Sequence, residues 1–520
     1  MDFSRQRSQQ DASPDPKLAG EIAPSPATAL TEEKVTASAI FLGVVASVGG
    51  FMFGYVSGQI SGFFDMADYG ARFGEYNPST GAYEFSAARQ GAIVGLLPAG
   101  CLIGSLIAGN IADSLGRRMA ISVSALFCCV GNVIEISSNS VWAQFAVGRL
   151  VTGFGIGSLS LFITLGIWTA EMINYGTHTN TSSASWRIPN GLSFLWSLIL
   201  GLGILALPES PRYAYRKGRE EEARRTIARL AGLHTDHAAV NEQIDEIKAK
   251  LDEERAGAET RWYEIFTGPR MLYRTFLGII LQAGQQLTGA NFFFYYGTTI
   301  FRATGLSDSY VTQIILGSVN VFCTFGGLYV AKKCGRRNAL MVGALWMMVC
   351  FLIYSFVGHF KLDQNNPANT PAAGNVLIVF SCLFIAAFAT TWGPLVWAVV
   401  AELYPAKYRA PAMAIATASN WLWNFLMSFF TRFITDAIDY LYGLVFAGCC
   451  LALTLIVFFF LIESKDRSLE EIDTMYLLHV NPISSSKWDE KTAMVNSTST
   501  SGRQSRHTDH EDPVEMQAVA

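Results

Sequence analysis

Residues 148–176 read GRLVTGFGIGSLSLFITLGIWTAEMINYG, an apolar run interrupted by two charges, Arg149 and Glu171. A helix needs roughly 20 residues to cross the hydrocarbon core of a bilayer. The run is therefore generous for one crossing and short for two. The choice fixes the side of the membrane on which everything after it lies.

The rest of the chain leaves little doubt that a membrane is involved. Of 520 residues 51% are hydrophobic and only 15% charged, with 35 Phe and 46 Gly, far too apolar for soluble domains of that size. The net charge of −4 is spread through loops and tails of mixed sign, so no basic stripe for nucleic acid exists. The nine cysteines lie in apolar runs or, for Cys334, beside a basic turn, and imply neither a disulfide framework nor a zinc site. No cofactor or metal motif emerges, and an enzyme is not expected. The GFGIG at 153–157 sits in an apolar span without the preceding strand that a nucleotide loop requires.

Apolar runs predict spans near 39–61, 90–112, 119–139, 189–208, 273–301, 309–331, 338–358, 374–400, 410–434 and 439–462. These divide the chain into a disordered N-terminus (1–37), a first membrane half (38–208), a charged helical linker (209–272), a second membrane half (273–463) and a disordered tail (464–520). The block 209–274 carries 13 Lys and Arg, against Arg72 alone within 62–88, so the block belongs in the cytoplasm and the 62–88 loop outside. Both termini are then cytoplasmic if the span count is even. The halves repeat each other: DSLGRR (113–118) and KKCGRR (332–337) follow the second span of each, and PESPR (208–212) and IESKDR (462–467) close each sixth position. One GRR is an ordinary basic turn, but two at matching places are the internal symmetry of secondary transporters.

The ordered set GGFMFGYVSG (49–58), GNIADSLGRR (109–118), GRLVTGFGIG (148–157), PESPRY (208–213), QQLTGAN (285–291), ELYPAKYR (402–409), SNWLWNF (419–425) and ESKDRSLEEID (463–473) resembles the sugar porter family of the major facilitator superfamily, fungal hexose transporters in particular. The resemblance implies an all-α fold of two pseudo-symmetric six-helix halves in the plasma membrane. It further implies carriage of a hexose, glucose first, by alternating access, with or without a proton. Partners are then a small sugar, protons where coupling exists, and the bilayer.

Sugar hydroxyls call for groups that both donate and accept. Gln282, Gln285, Gln286 and Asn291 put four amides into ten apolar residues, although any one alone would pass as interhelical glue. On a straight helix Asn291 points about 180° from Gln282; a break at Gly289 would bring it back, and the family implies one there. By motif, Gln285, Gln286, Asn291, Asn320, Trp397 and Asn424 bind sugar, while Trp421, Tyr295 and Tyr296 line or gate the cavity. Asp113 with Arg117 and Arg118, and Glu402 with Arg409, are expected to form cytoplasmic ion pairs that break in alternation.

Three departures stand out. Lys332 replaces the acid usual in the second copy of the basic turn. Val56 stands where proton-coupled relatives carry Asp opposite an arginine like Arg149, leaving Glu135 as that arginine's candidate partner and proton site. Lastly, the acid and arginine loop between fourth and fifth spans, and the sugar-binding Gln that follows it in the family, are missing. Glu209 follows Gly116 by 93 positions, but Glu463 follows Gly335 by 128. Two legs of about 14 residues reach only ~21 Å each, against a ~30 Å core; one crossing would instead send the basic linker outside. Eleven or twelve spans are thus possible, and a sugar sensor or a defective variant stand as alternative readings. A sensor would be expected to carry a longer tail.

Overall fold

In hydrocarbon every backbone N–H and C=O must find a partner within the protein, and apolar runs of this length answer by becoming helices. The computed structural model describes residues 36–79, 81–156, 163–256, 263–302, 309–363 and 369–488. The first half comprises α1 (Ala37–Phe63), a short α2 (Ala67–Phe73), the hairpin β1–β2 (Glu75–Asn77 and Ala82–Glu84), α3 (Ala87–Leu115), α4 (Arg117–Ser137), α5 (Trp142–Ile156), α6 (Ile163–Thr177) and α7 (Ala184–Leu205). The linker folds as α8 (Pro211–Arg216), α9 (Glu220–Ala231), α10 (Ala238–Ala256) and α11 (Glu264–Thr267). The second half is α12 (Met271–Leu287), α13 (Ala290–Arg302), α14 (Ser309–Cys334), α15 (Arg336–Phe360), α16 (Pro371–Thr390), α17 (Trp392–Leu403), α18 (Arg409–Ile438) and α19 (Tyr442–Phe460), followed by α20 (Leu469–Leu477).

Packing repeats between halves. In the first, α3 packs on α5, α4 on α5 and α7, and α1 on α6; in the second, α14 packs on α16, α15 on α16 and α19, and α12 on α18. The halves meet through α3 against α18 and α6 against α14, two symmetric seams. This pattern answers the question posed by residues 148–176. They form two helices, in the fourth and fifth positions of the first half.

The described parts of α5 and α6, 15 residues each, rise ~22 Å, and the 36 residues from Trp142 to Thr177 allow at most ~27 Å for each of two legs, whereas α18 has 30 residues and α16 with α17 runs from 371 to 403. The junction, 157–162, lies outside the described residues. What is present is packed closely: a methyl group on Gly100 would lie 2.1 Å from the Leu150 carbonyl oxygen, and one on Gly54 1.9 Å from that of Ile163. Small residues facing neighbouring backbones are the usual way for membrane helices to approach, since lipid tails offer no hydrophobic drive between them.

At one end of the bundle lie the Gly116 and Gly335 turns, the linker helices and α20; we call it the basic end. The opposite end carries α2 and the hairpin. There Asp68 accepts hydrogen bonds from Arg72 Nε (2.6 Å) and Trp186 Nε1 (3.0 Å). Partial burial pushes its carboxyl up, but those bonds and the charges of Arg72 and Arg187 outweigh burial and leave it below the usual range.

The expectation of a disordered tail from 464 is corrected for residues 464–488. Ser468 and Glu471 form a capping box that starts α20, and buried Arg274 of α12 reaches Asp473 at 2.6 Å and stacks over Tyr476. Arg467 donates to the carbonyls of Ser485 and Trp488. The N-terminal stretch 1–35 and residues 489–520 lie outside the described residues.

Candidate functional site

Between the halves lies a cavity of about 1120 Å³. Its lining runs to Ala112, Arg117 and Ala410 beside the turns of the basic end, where it opens. The opposite end is shut by α1 against α13 and α14: Ser61 and Thr298 hydroxyls meet at 3.3 Å, Tyr310 donates to the Gly62 carbonyl at 2.7 Å, and Gln313 donates to Ser61 Oγ at 3.2 Å.

The amide cluster exists because the seventh span breaks. Gly289 adopts φ +90°, and a side chain there would strike Phe446 and Phe351. The break separates α12 from α13 and returns Asn291 to the face of Gln286, whose Oε1 accepts from Asn291 Nδ2. Gln286 Nε2 in turn donates to Asn420 Oδ1 at 2.9 Å.

Gln285, Gln286, Asn291, Asn320, Trp397, Asn424, Trp421 and Tyr295 all line the cavity. Tyr296 sits just behind it, donating to the Ser428 carbonyl. Tyr295 donates to Asn424 Oδ1 at 3.3 Å. Trp421 packs edge-on against Phe53 of the first half at 5.2 Å, and its Nε1 has no protein partner. Two residues behave differently from expectation. Gln282 lies outside the lining. Gln285 spends its Nε2 hydrogens on the carbonyls of Trp392 and Gly393, both at 2.9 Å, at the start of α17 where the tenth span breaks.

Asn420 escaped sequence reasoning. Its Nδ2 donates toward Gln282 Oε1 (2.8 Å) and Gln285 Oε1 (2.7 Å), while its Oδ1 receives Gln286, so it joins three amides of α12 to α18. The signal was present: Asn420, Asn424 and Ser428 are spaced by four and share one helical face. The first half contributes smaller groups, among them Ser57, Ser105, Ser124 and Thr164. Phe154 of α5 and Ile163 of α6, on either side of the junction, also face the cavity.

The sequence pattern of the family described as Sugar (and other) transporter matches residues 42–162 and 157–476, two segments that meet at the junction between α5 and α6. A high-affinity fructose transporter of Schizosaccharomyces pombe is 42% identical over 466 residues, covering 84% of this chain and 87% of the relative. The chain belongs to the sugar transporter family. A low-affinity glucose transporter of Saccharomyces cerevisiae is 41% identical over 472 residues, covering 86% and 83%. Among solved structures, the proton:xylose symporter XylE bound to 6-bromo-6-deoxy-D-glucose superposes with a TM-score of 0.67 at 21% identity, covering 85% of this chain and all of that one. An inward open conformation of the xylose transporter XylE from E. coli gives 0.66 at 21%, covering 84% and 99%. This sugar transporter is accordingly a multi-pass membrane protein with the two-half fold.

The basic turns of this sugar transporter are built twice on one plan. Gly116 (φ +92°) and Gly335 (φ +80°) reverse the chain, and the next helix begins with two arginines whose backbone N–H groups are held by a carboxylate from the end of the same half. Arg117 and Arg118 donate to Glu209 at 3.1 and 3.3 Å; Arg336 and Arg337 donate to Glu463 at 2.8 and 3.2 Å. An acid at a helix N-terminus satisfies orphan donors and meets the positive end of the dipole.

The expected ion pairs are corrected. Asp113 pairs with Arg216 of α8 at 3.2 Å, because Arg117 and Arg118 already belong to the next helix and Arg118 turns to the Leu207 carbonyl. Glu402 pairs with Arg336 at 3.1 Å and accepts from Ser464, because Arg409 folds back onto the Tyr404 carbonyl. Neither pair joins one half to the other: the first ties the first half to the linker, and the second lies within the second half. Glu135 and Arg149 are both fully buried. Glu135 accepts from Thr152 Oγ1 at 2.9 Å, while its Oε2 and all three Arg149 nitrogens have no hydrogen-bond partner among the described residues.

Proposed function

We propose that the chain carries a monosaccharide, glucose or a close hexose, across the plasma membrane by alternating access, with the basic end and both termini in the cytoplasm. The observation that carries the reading is the amide cluster of Gln286, Asn291, Asn420 and Asn424 in the wall of a cavity shared by both halves and open at one end only. Groups that donate and accept, next to the indoles of Trp397 and Trp421, suit a neutral polyhydroxylated ligand. Relatives named as hexose carriers at about 40% identity favour the same substrate class. Arg117, Arg118, Asp113, Glu402 and Arg409 then belong to the cytoplasmic gate. Glu135 beside Arg149 is the proton site of this reading, taking the place of the carboxylate that Val56 replaces.

A second reading rests on the junction. Thirty-six residues from Trp142 to Thr177, at most ~27 Å for each of two legs in a ~30 Å core, and a family match that splits at their junction, favour loss of the inner ends of two spans and their loop, so that the chain as it stands binds sugar but carries it poorly. One experiment separates the readings: glucose binding to the purified chain, together with hexose uptake in a cell lacking its own carriers. Binding with feeble uptake supports the second reading. Vigorous uptake supports the first alone, and absence of binding overturns both.

A further inference from the structure

Glu171 belongs to none of the parts above. It lies on α6, 5% exposed, in the seam with α14, and its Oε2 has no hydrogen-bond partner among the described residues. The carboxylate presses on bare backbone: a side chain on Gly317 would begin 1.9 Å from that oxygen. One turn toward the basic end Trp168 Nε1 donates to Ser318 Oγ at 2.9 Å, and at the outermost turn His178 stacks on Tyr310 at 4.3 Å. These three contacts run antiparallel along one seam, and every one joins the first half to the second.

The neighbours offer no charge to balance an ionised Glu171. Helix α1 carries no Asp, Glu, Lys, Arg or His, and its Tyr55 donates to the Pro189 carbonyl. Asp65 lies beyond its end, near Ser309. From α7 the charged group is Arg187, held at the Ser138 carbonyl and Asn139 Oδ1. From α14 they are Tyr310 at one end and Tyr329, Lys332, Lys333 and Cys334 toward the other, with Cys323 between; Tyr175 on α6 and His178 just beyond it follow toward the outer end. A buried carboxylate without a counter-charge is strongly disfavoured relative to its neutral form.

We propose that Glu171 is a proton-binding site in the seam between the halves, neutral while the end opposite the basic turns is closed and ionised when that end opens to water. This rests on the alternating-access reading above. Closure takes one proton from the water at that end and forms the O–H bond on the carboxylate; opening returns it. The closed state holds the extra proton, so acid favours closure, by at most tenfold per pH unit.

Hydrogen exchange of the purified 520-residue protein in lipid nanodiscs tests this, at about pH 5.5 and 7.5 with times scaled for the chemical exchange rate, reading peptides spanning 172–178 and 309–316. The parent chain should be severalfold more protected at the lower pH. Glu171→Gln should be equally protected at both, Glu171→Asp should keep the dependence, and His178→Gln should keep it too. A pH dependence that survives Glu171→Gln, or vanishes with His178→Gln, or is missing in the parent, overturns the proposal. Protection of 282–291 by glucose in the same samples reports separately on the sugar-carrying reading.

Discussion

At the scale of single residues, the site is a chain of amides whose members are not equivalent. Gln286 and Asn291 hold each other with hydrogen-bonding capacity left toward the cavity, whereas Gln285 is committed to the broken start of α17. Gln286→Ala and Asn291→Ala should therefore weaken sugar binding about ten- to a hundredfold, the equivalent of ~1–3 kcal/mol, with the melting temperature unchanged for Asn291→Ala; equilibrium binding and thermal unfolding on the same preparations check both halves of that statement. Asn420→Ala should lower the melting temperature as well, because it strands polar atoms on Gln282, Gln285 and Gln286. Asp68 gives a pH-dependent counterpart. Its folded carboxyl lies below the usual value, so its stabilising contribution is full above the unfolded pKa of about 3.9 and is lost as pH falls through the folded one. Asp68→Asn should melt below the parent at neutral pH, with the difference closing as pH falls below the unfolded value of about 3.9 and through the lower folded one.

At the scale of elements, the α5–α6 pair is the feature that the sequence exposed most directly and explained least. Counting residues between the repeated turns located the deficit, but no periodicity could choose between one crossing and two. Long-range pairing made the choice, through α3 on one side and α1 on the other. The seventh-span break was legible because Gly289 lay between amides that had to face one way. The partner of Glu402 was not, since the positive-inside rule assigns a side of the membrane and says nothing of which arginine, 66 residues away, will reach it. Restoring about two dozen residues with an acid and an arginine after Ser158, enough for roughly 36 Å of added helix and turn, should raise hexose uptake in a carrier-null cell well above that of the unmodified chain. Equal uptake by the two would show that the short helices suffice.

At the scale of the whole molecule, the basic turn of each half is held by its own carboxylate, Glu209 or Glu463, and neither the Asp113–Arg216 nor the Glu402–Arg336 pair joins one half to the other. The cavity mouth is thus free of these pairs, as expected for a state open on that side. A cysteine placed at Ala410, in the lining near the mouth, should react with a thiol reagent supplied from the cytoplasmic face and be shielded by glucose; indifference to glucose would argue against occupation of this cavity. The α5–α6 pair, 36 residues for two legs from Trp142 to Thr177, carries a further consequence for traffic through the cell. Secretory membranes thicken along the route, from about 27 Å of hydrocarbon in the endoplasmic reticulum to about 32 Å at the cell surface, and mismatch costs a fraction of a kcal/mol per ångström. Parts of α5 and α6 face outward, with Val147 and Met172 exposed, so a bilayer must pinch to meet them. The thinner early compartment pinches least, and the chain's own dimensions favour its staying there.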